Sequence, residues 1–298
     1  MNNIINFYYG INVIDVYKDK EKYIFKYNDN NYYFMEYDRD KKDIKSLIEV
    51  INELKRRNII TNEFVCNKFN NYFTPFNNKN YILIREQVKK YKISFNDILY
   101  IQNNTLNITF DKNIVRTNYI NLWKNKIDFY ETKIDSKYKM INDTLDYYIG
   151  LGENAISYIV NNNVGISNMV LSHRRLSIDS FNFYNPLNYI IDNRSRDIAD
   201  YIKELFFNEN ISYELVLSLL RYSNFNREEF ILFISRMLYP TYYFDLVDRI
   251  IFDNEDENIL RNIINKNNDY ISLLKRIFYY INYDLRMNIP VIEWIIKM

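Results

Sequence analysis

Residues 168–180 read NMVLSHRRLSIDS and residues 187–200 read LNYIIDNRSRDIAD, and these are the most informative segments of the chain. Each contains a short apolar run that is typical of a buried strand. The first run leads into a loop that carries the only histidine, His173, and the second run ends at Asp192. The pattern predicts two neighbouring strands, one followed by a histidine loop and the other ending in an aspartate.

Outward from these segments, the chain changes character near residue 86. Before it, aromatic and β-branched runs separated by Asn/Asp clusters predict the order βββαββ, with strands at 12–17, 23–27, 32–37, 64–69 and 81–84 and a helix at 43–57. After it, helical patterns dominate at 120–130, 141–149, 155–160, 198–207, 213–220 and 227–238, with the short strands 169–171 and 189–191 between them. We therefore predict an α+β protein with a five-stranded antiparallel sheet lobe at 1–86 and a larger, mainly helical lobe at 87–298. Cys66 is expected in the core, and Trp294 as a core or interface anchor.

The composition excludes several classes of function. Lys plus Arg (39) nearly cancels Asp plus Glu (38), which gives no general attraction to nucleic acid or to an anionic membrane. One cysteine cannot form an internal disulfide, and no apolar run approaches the roughly 18 residues that span a bilayer. We expect a soluble, cytoplasmic protein. With only four glycines, a glycine-rich phosphate loop is also excluded.

The two central segments resemble the catalytic core of the aminoglycoside-phosphotransferase and choline-kinase-like superfamily. His173 matches its histidine, Asp192 its metal-binding aspartate, and 197–199 the Asp-Leu-Ala that opens the next helix. The resemblance implies a protein-kinase-like bilobal fold. Three positions depart from the pattern, because Arg174 replaces a glycine, Arg175 replaces the catalytic aspartate, and Ser180 replaces the asparagine that is the second metal ligand.

A closer resemblance covers most of the chain. The segments 120–126, 147–158 and 192–202, together with the Ser-His-Arg-Arg loop, are similar to the YutH branch of the CotS-type spore-coat kinase-like proteins of Bacillota. This resemblance implies a small-molecule-kinase fold and an association with the spore coat. It does not carry activity with it.

Phosphoryl transfer needs metal, a cation on the third strand, a phosphate cradle and a group that orients the nucleophile. Here Met35 or Glu36 occupies the position of the third-strand lysine, and the charged turn 18–21 stands where a glycine-rich loop belongs. Arg175 cannot accept a proton at physiological pH. The sequence therefore lacks most of the chemistry of a kinase.

The remaining motif residues have simpler roles. We expect His173 to be a hydrogen-bonded loop anchor, and Asp197 to stabilise the start of a helix. Asp192 is expected to pair with an arginine, Arg175 or Arg194, and a Mg²⁺ ligand is the less favoured alternative. We further predict that Arg175, or failing that Arg174, pairs with Asp192 or Asp197.

These observations predict a non-catalytic pseudokinase that acts through protein partners, with spore-coat components as the candidates. No catalytic residue, cofactor or metal is expected, and no nucleic-acid or membrane partner. The leading alternative is an active small-molecule phosphotransferase that uses ATP and Mg²⁺ at a rearranged site with Asp192 or Asp179. A third possibility is a protein that binds nucleotide as a sensor without turning it over.

Overall fold

Contacts group the chain into two units, residues 1–115 with 171–191, and residues 116–170 with 192–298. The structure is a computed structural model that describes residues 1–19, 22–89, 91–106, 108–109, 111–133, 137–165 and 167–297. Helix makes up 57% and strand 15%, which confirms the α+β class with its helical majority. The contact-based division differs from the lobe boundary at residue 86, which stays a prediction.

The elements follow one another in this order. The strands are β1 (Tyr17–Asp19), β2 (Lys22–Tyr27), β3 (Asn30–Glu36), β4 (Glu63–Val65), β5 (Thr74–Phe76), β6 (Lys79–Arg85), β7 (Met169–His173) and β8 (Tyr189–Asn193). The helices are α1 (Asn2–Tyr9), α2 (Asp43–Arg56), α3 (Phe95–Thr105), α4 (Tyr119–Lys133), α5 (Lys139–Asn162), α6 (Ser180–Phe183), α7 (Ser195–Glu209), α8 (Tyr213–Ser223), α9 (Arg227–Leu238), α10 (Thr241–Phe252), α11 (Arg261–Tyr279) and α12 (Glu293–Lys297). A π-helical turn (Tyr280–Asp284) follows α11.

The first unit is built on an antiparallel sheet with the order β1-β2-β3-β6-β4, and β5 also pairs with β6. Strand β3 alternates its side chains, so Tyr32 and Phe34 enter an apolar core with α1 residues such as Ile5. Tyr33 and Met35 therefore face the opposite side of the sheet. On β6 the run from Tyr81 to Ile84 is entirely buried, because both faces of the sheet are covered there.

Several details of the first unit differ from the prediction. The first strand lies at Tyr17–Asp19 and not at 12–17, and helix α3 was not predicted. The sheet has six described strands and not five, because residues 74–76, expected as a turn, form β5, and the turn is made by Asn77 and Asn78 in the left-handed conformation. Helix α1 was not predicted. Cys66 is exposed and not in the core, because β4 ends one residue before it.

Helix α1 ends at Gly10, whose φ of 71° lies in the left-handed region, where its N–H bonds to the carbonyl of Asn6. Gly10→Ala should lower the free energy of unfolding by about 1 to 2 kcal/mol, the cost of this conformation for a residue with a Cβ. Urea denaturation measures the change. The control is Gly150→Ala, in the middle of α5 with no atom within 4 Å of the new Cβ, which should raise stability by about 0.5 to 1 kcal/mol. Shifts of the same sign would contradict this account.

The second unit is helical and centres on α9, which packs against α5 and α7. Every residue from Glu229 to Leu238 is buried. Helix α5 runs without a break through Gly150 and Gly152, where two shorter helices were predicted. No helix in the described ranges is both long and apolar enough to cross a membrane.

Strands β7 and β8 pair with each other, as the first two sequence segments predict. Hydrogen bonds at both ends, from Arg174 N to Asn188 O and from Arg194 N to Asn168 O, show that they are antiparallel. Of the two motif residues in these strands, His173 belongs to the first unit and Asp192 to the second.

Candidate functional site

His173 ends β7 and is completely buried. Its imidazole stacks on Phe183, with ring centroids 4.4 Å apart, and meets the edge of Tyr189. Its Nε2 donates a hydrogen bond of 2.9 Å to the carbonyl oxygen of Phe183. These are the contacts of a residue that fixes the start of a loop.

Two arginines follow, where the superfamily pattern has a glycine and the catalytic aspartate. Arg174 donates two hydrogen bonds to the carboxylate of Asp38, at 3.1 and 3.0 Å. The amide of Asn188 holds the backbone of Arg175 on both sides, because its Oδ1 accepts from Arg175 N and its Nδ2 donates to Arg175 O. The guanidinium of Arg175 donates to the carbonyl of Arg174. An arginine here can only donate, so it offers no general base.

Asp179 and Ser180 begin the short helix α6. The Asp179 carboxylate accepts from Asn182 N at 2.9 Å, which is the geometry of a helix N-cap. Ser180, at the position of the second metal ligand, is buried, and its Oγ has no hydrogen-bond partner within the described part of the chain. The cap explains Asp179 without a catalytic role.

The side of β3 that faces the loop is filled by aromatic rings. Tyr33 stacks on Phe181 of α6 with centroids 3.7 Å apart, and the Lys22 ammonium lies 5.1 to 5.6 Å from both centroids. Next to them, Met35 Sδ accepts from Asn185 Nδ2 at 3.9 Å. Burial, with the nearby Glu86, raises the pKa of the Tyr33 hydroxyl above its ordinary value. This stack was not predicted from the sequence, although Tyr33 and Met35 alternate as residues on one face of a strand do.

The structure distinguishes the two candidates for the third-strand lysine position. Met35 reaches the loop, whereas the carboxylate of Glu36 pairs with Lys79 at 2.7 Å and is partly exposed. Of the predicted charged turn at 18–21, Lys20 and Glu21 lie outside the described residues.

Asp192, at the end of β8 in the second unit, is enclosed by arginines. Its Oδ1 accepts from Arg236 Nη2 and from the backbone N–H of Asn193, both at 2.7 Å. Its Oδ2 accepts from Arg196 Nη1 at 2.9 Å. The Asp192 side chain is completely buried, and those of Arg236 and Arg196 are 5% and 14% exposed. Both oxygens of the carboxylate are therefore compensated by buried positive charge.

Asp192 forms an ion pair with arginine, as predicted, but the arginines are not the predicted ones. Arg196 and Arg236 pair with Asp192, where Arg175, Arg174 or Arg194 was predicted. Arg196 stands four residues after Asp192, a spacing that could have identified it. Arg236 comes from α9, far along the chain, and no local pattern predicts it.

Asp197 lies in the first turn of α7, as expected, and is buried. Asn193 contributes to the same helix start, because its Oδ1 accepts from Ser195 N at 2.9 Å.

A second ion pair, between the buried Lys203 and the partly buried Asp200, lies one turn further along α7. The Lys203 ammonium bonds to Asp200 at 2.9 Å, to Arg236 O at 3.0 Å and to Thr241 Oγ1 at 2.9 Å. All three of its N–H groups are thus satisfied. Burial raises the pKa of Asp200, but Lys203 and Arg196 lower it by more, to about 2.

This depressed pKa predicts a loss of stability in acid. Because the folded-state pKa of Asp200 lies below its usual 3.8, the carboxylate contributes about 2 kcal/mol above pH 4, and this contribution is lost as pH falls through about 2. Asp200→Asn should therefore be less stable than the wild type at neutral pH, with a difference that shrinks in acid. Urea unfolding across this pH range measures the difference. Glu293→Gln on the surface controls for the change in charge, and a constant difference for Asp200→Asn would refute the assignment.

A divalent cation does not fit these residues. The described part of the chain has no group of three or more His, Cys, Asp or Glu side chains that could hold a metal ion. Asp192, the one residue that matches a metal ligand of the superfamily, has both oxygens bonded to arginines, whereas Mg²⁺ requires carboxylate oxygens that are free to coordinate it.

Comparisons with known proteins identify relatives. The family described as "Spore coat putative kinase YutH" matches residues 2–277. The chain is also similar to the "Endospore coat-associated protein YutH" of Bacillus subtilis, at 27% identity over 163 residues, which are 46% of this chain and 47% of that protein. The match thus spans about half the length of this relative.

Solved structures show the fold. The chain is similar to an aminoglycoside phosphotransferase from Alicyclobacillus acidocaldarius, with a TM-score of 0.65, 10% identity, and coverage of 92% of this chain and 94% of that one. It is similar to the choline kinase LicA from Streptococcus pneumoniae, with a TM-score of 0.56, 10% identity, and coverage of 91% and 96%. At this identity the likeness concerns the fold alone, which is kinase-like, as the sequence predicts.

Proposed function

Because the chain belongs to the spore coat YutH family, we propose that it is a non-catalytic pseudokinase that works in coat assembly by binding protein partners. The observation that carries the non-catalytic part is the stack of Tyr33 on Phe181. It occupies the loop-facing side of β3, where phosphoryl transfer would need a cation and room for phosphate.

The surrounding residues support the same proposal. Met35 is neutral, so β3 itself supplies no lysine on this side, and the Lys22 ammonium of β2 lies over the two rings and pairs with Asp19 at 3.5 Å. Arg175 stands where a kinase has the group that orients the nucleophile. An active phosphotransferase with a rearranged site is less well supported, because Asp179 caps a helix and Asp192 is bound by arginines.

Nucleotide binding tests this proposal directly. A ligand at 100 times its dissociation constant would stabilise the protein by about 2.7 kcal/mol. We expect ATP with Mg²⁺ to leave the melting temperature unchanged in a thermal-shift assay, with an active kinase of the same fold as the positive control. A rise that requires Mg²⁺ would instead support an active phosphotransferase. A rise without turnover would support nucleotide sensing.

Coat association needs its own test, since it comes from the family and from the name of the Bacillus subtilis relative. We propose that the protein is made in the cytoplasm and deposited on the coat. A fluorescent fusion, expressed in a sporulating Bacillus strain without its own member of the family, should concentrate at the spore surface. A uniform cytoplasmic signal throughout sporulation would contradict the proposal.

A further inference from the structure

The positive charge next to Asp192 equals the charge of one divalent metal ion. One carboxylate faces two guanidinium groups, Arg196 and Arg236, and both remain charged at any physiological pH. Together they bring two positive charges to the carboxylate, the same as one divalent cation. All three residues belong to the second unit.

The arginines differ from a metal in having no open position. A bound Mg²⁺ keeps places for water and for substrate phosphates. Here the guanidinium of Arg236 is almost entirely buried and lies over the ring of Tyr119, 4.8 Å from its centroid. Tyr119 is itself buried. A group held in this way can compensate Asp192 but cannot present its charge to a ligand.

A second carboxylate lies near the same arginines. Asp200 lies four residues after Arg196 on α7, and the Lys203 ammonium that bonds to Asp200 also bonds to the carbonyl oxygen of Arg236. Among the described ion pairs, removing the two arginines would leave Asp192 without a cationic partner and Asp200 with Lys203. Such a site would carry excess negative charge in a buried place and would attract a cation.

We infer that Arg196 and Arg236 are a built-in replacement for a divalent cation at Asp192. They give the helical unit the charge that a metal would supply, and they close the site to metal. This goes beyond the proposed function, because it concerns cation binding by the second unit and would stand even if a nucleotide bound without metal.

Electron paramagnetic resonance of Mn²⁺ tests the inference on the full chain. In the wild-type background, Asp192→Asn should leave the amount of bound Mn²⁺ unchanged. The variant Arg196→Gln/Arg236→Gln keeps side chains of similar length without charge, and it should gain one bound Mn²⁺. Adding Asp192→Asn to that variant should abolish the binding. Wild-type binding that is lost in Asp192→Asn, or a folded double variant without Asp192-dependent binding, would overturn the inference.

A milder variant keeps the test decisive if the double variant does not fold. Arg236→Gln alone should melt at a lower temperature than the wild type, and Mn²⁺ should restore part of the loss, whereas Arg236→Lys, which keeps the charge, should show no restoration. Equal responses of the two variants to Mn²⁺ would overturn the inference. A shift by ATP in the absence of metal would contradict the proposed function and leave this inference standing.

Discussion

Asp192→Ala should lower the free energy of unfolding by about 3 to 5 kcal/mol, because it leaves Arg236 buried without its partner. The guanidinium is 5% exposed, so water cannot replace the carboxylate without opening the helical unit. Arg196, at 14% exposure, loses the same partner. Urea denaturation followed by circular dichroism gives the change directly.

Asp38→Ala is the matched control for this change. It also removes a carboxylate that accepts two hydrogen bonds from an arginine, Arg174, but both side chains are accessible to water, at 59% and 34%. Exposed pairs contribute below about 1 kcal/mol. Similar losses for the two variants would show that burial does not set the strength of the Asp192 pair.

Glu229→Ala should have an effect of similar size, about 3 to 5 kcal/mol, at the start of α9. The completely buried carboxylate accepts two bonds from Arg194, at 2.5 and 2.9 Å, and one from Asn168 Nδ2 at 2.9 Å. It also accepts from the backbone N–H of Asn226 and so completes a capping box. The substitution therefore removes a buried charge, a helix cap and the hydrogen bond that joins Asn168 to α9.

A double-mutant cycle separates these contributions. Arg194→Met combined with Glu229→Ala should recover part of the loss, because no charge is then left without its partner. Glu229→Gln keeps the size and some hydrogen bonds, so it should cost less than Glu229→Ala. If the double variant loses as much as the two single variants added together, the ion pair does not account for the effect.

The sequence predicts the fold where periodicity is strong and fails where the chain is short or locally ambiguous. Helix α9 has the predicted bounds 227–238, since its apolar run lies between a capping Asn and a Pro. The sequence of strand β5 predicts a turn because it contains Pro75, a residue that edge strands nevertheless tolerate. Helix α1 is only eight residues long and is stabilised by packing on the sheet, which no local pattern reveals.

At the candidate site, the positions of the motif residues in strands and helices are easier to predict from the sequence than their contact partners. Asp192 and Asp197 lie at a strand end and a helix start, as predicted, whereas His173, predicted in the loop, is the last residue of β7. The partners of Asp192 were not, because Arg236 lies 44 residues away and reaches it only through helix packing. The stack of Tyr33 on Phe181 has the same origin, since it joins two distant segments.

Helix α9 also constrains the order in which the chain can fold. From Glu229 to Leu238 it has no water-facing side, so it is not a stable structure by itself. Its neighbours α5 and α7 precede it in the chain and pack against it. On the ribosome, α5 and α7 are synthesised before α9, which packs against both. Their apolar faces therefore stay exposed until residue 238 has left the exit tunnel. The α5–α7–α9 core of the helical unit can therefore form only after α9 has been synthesised.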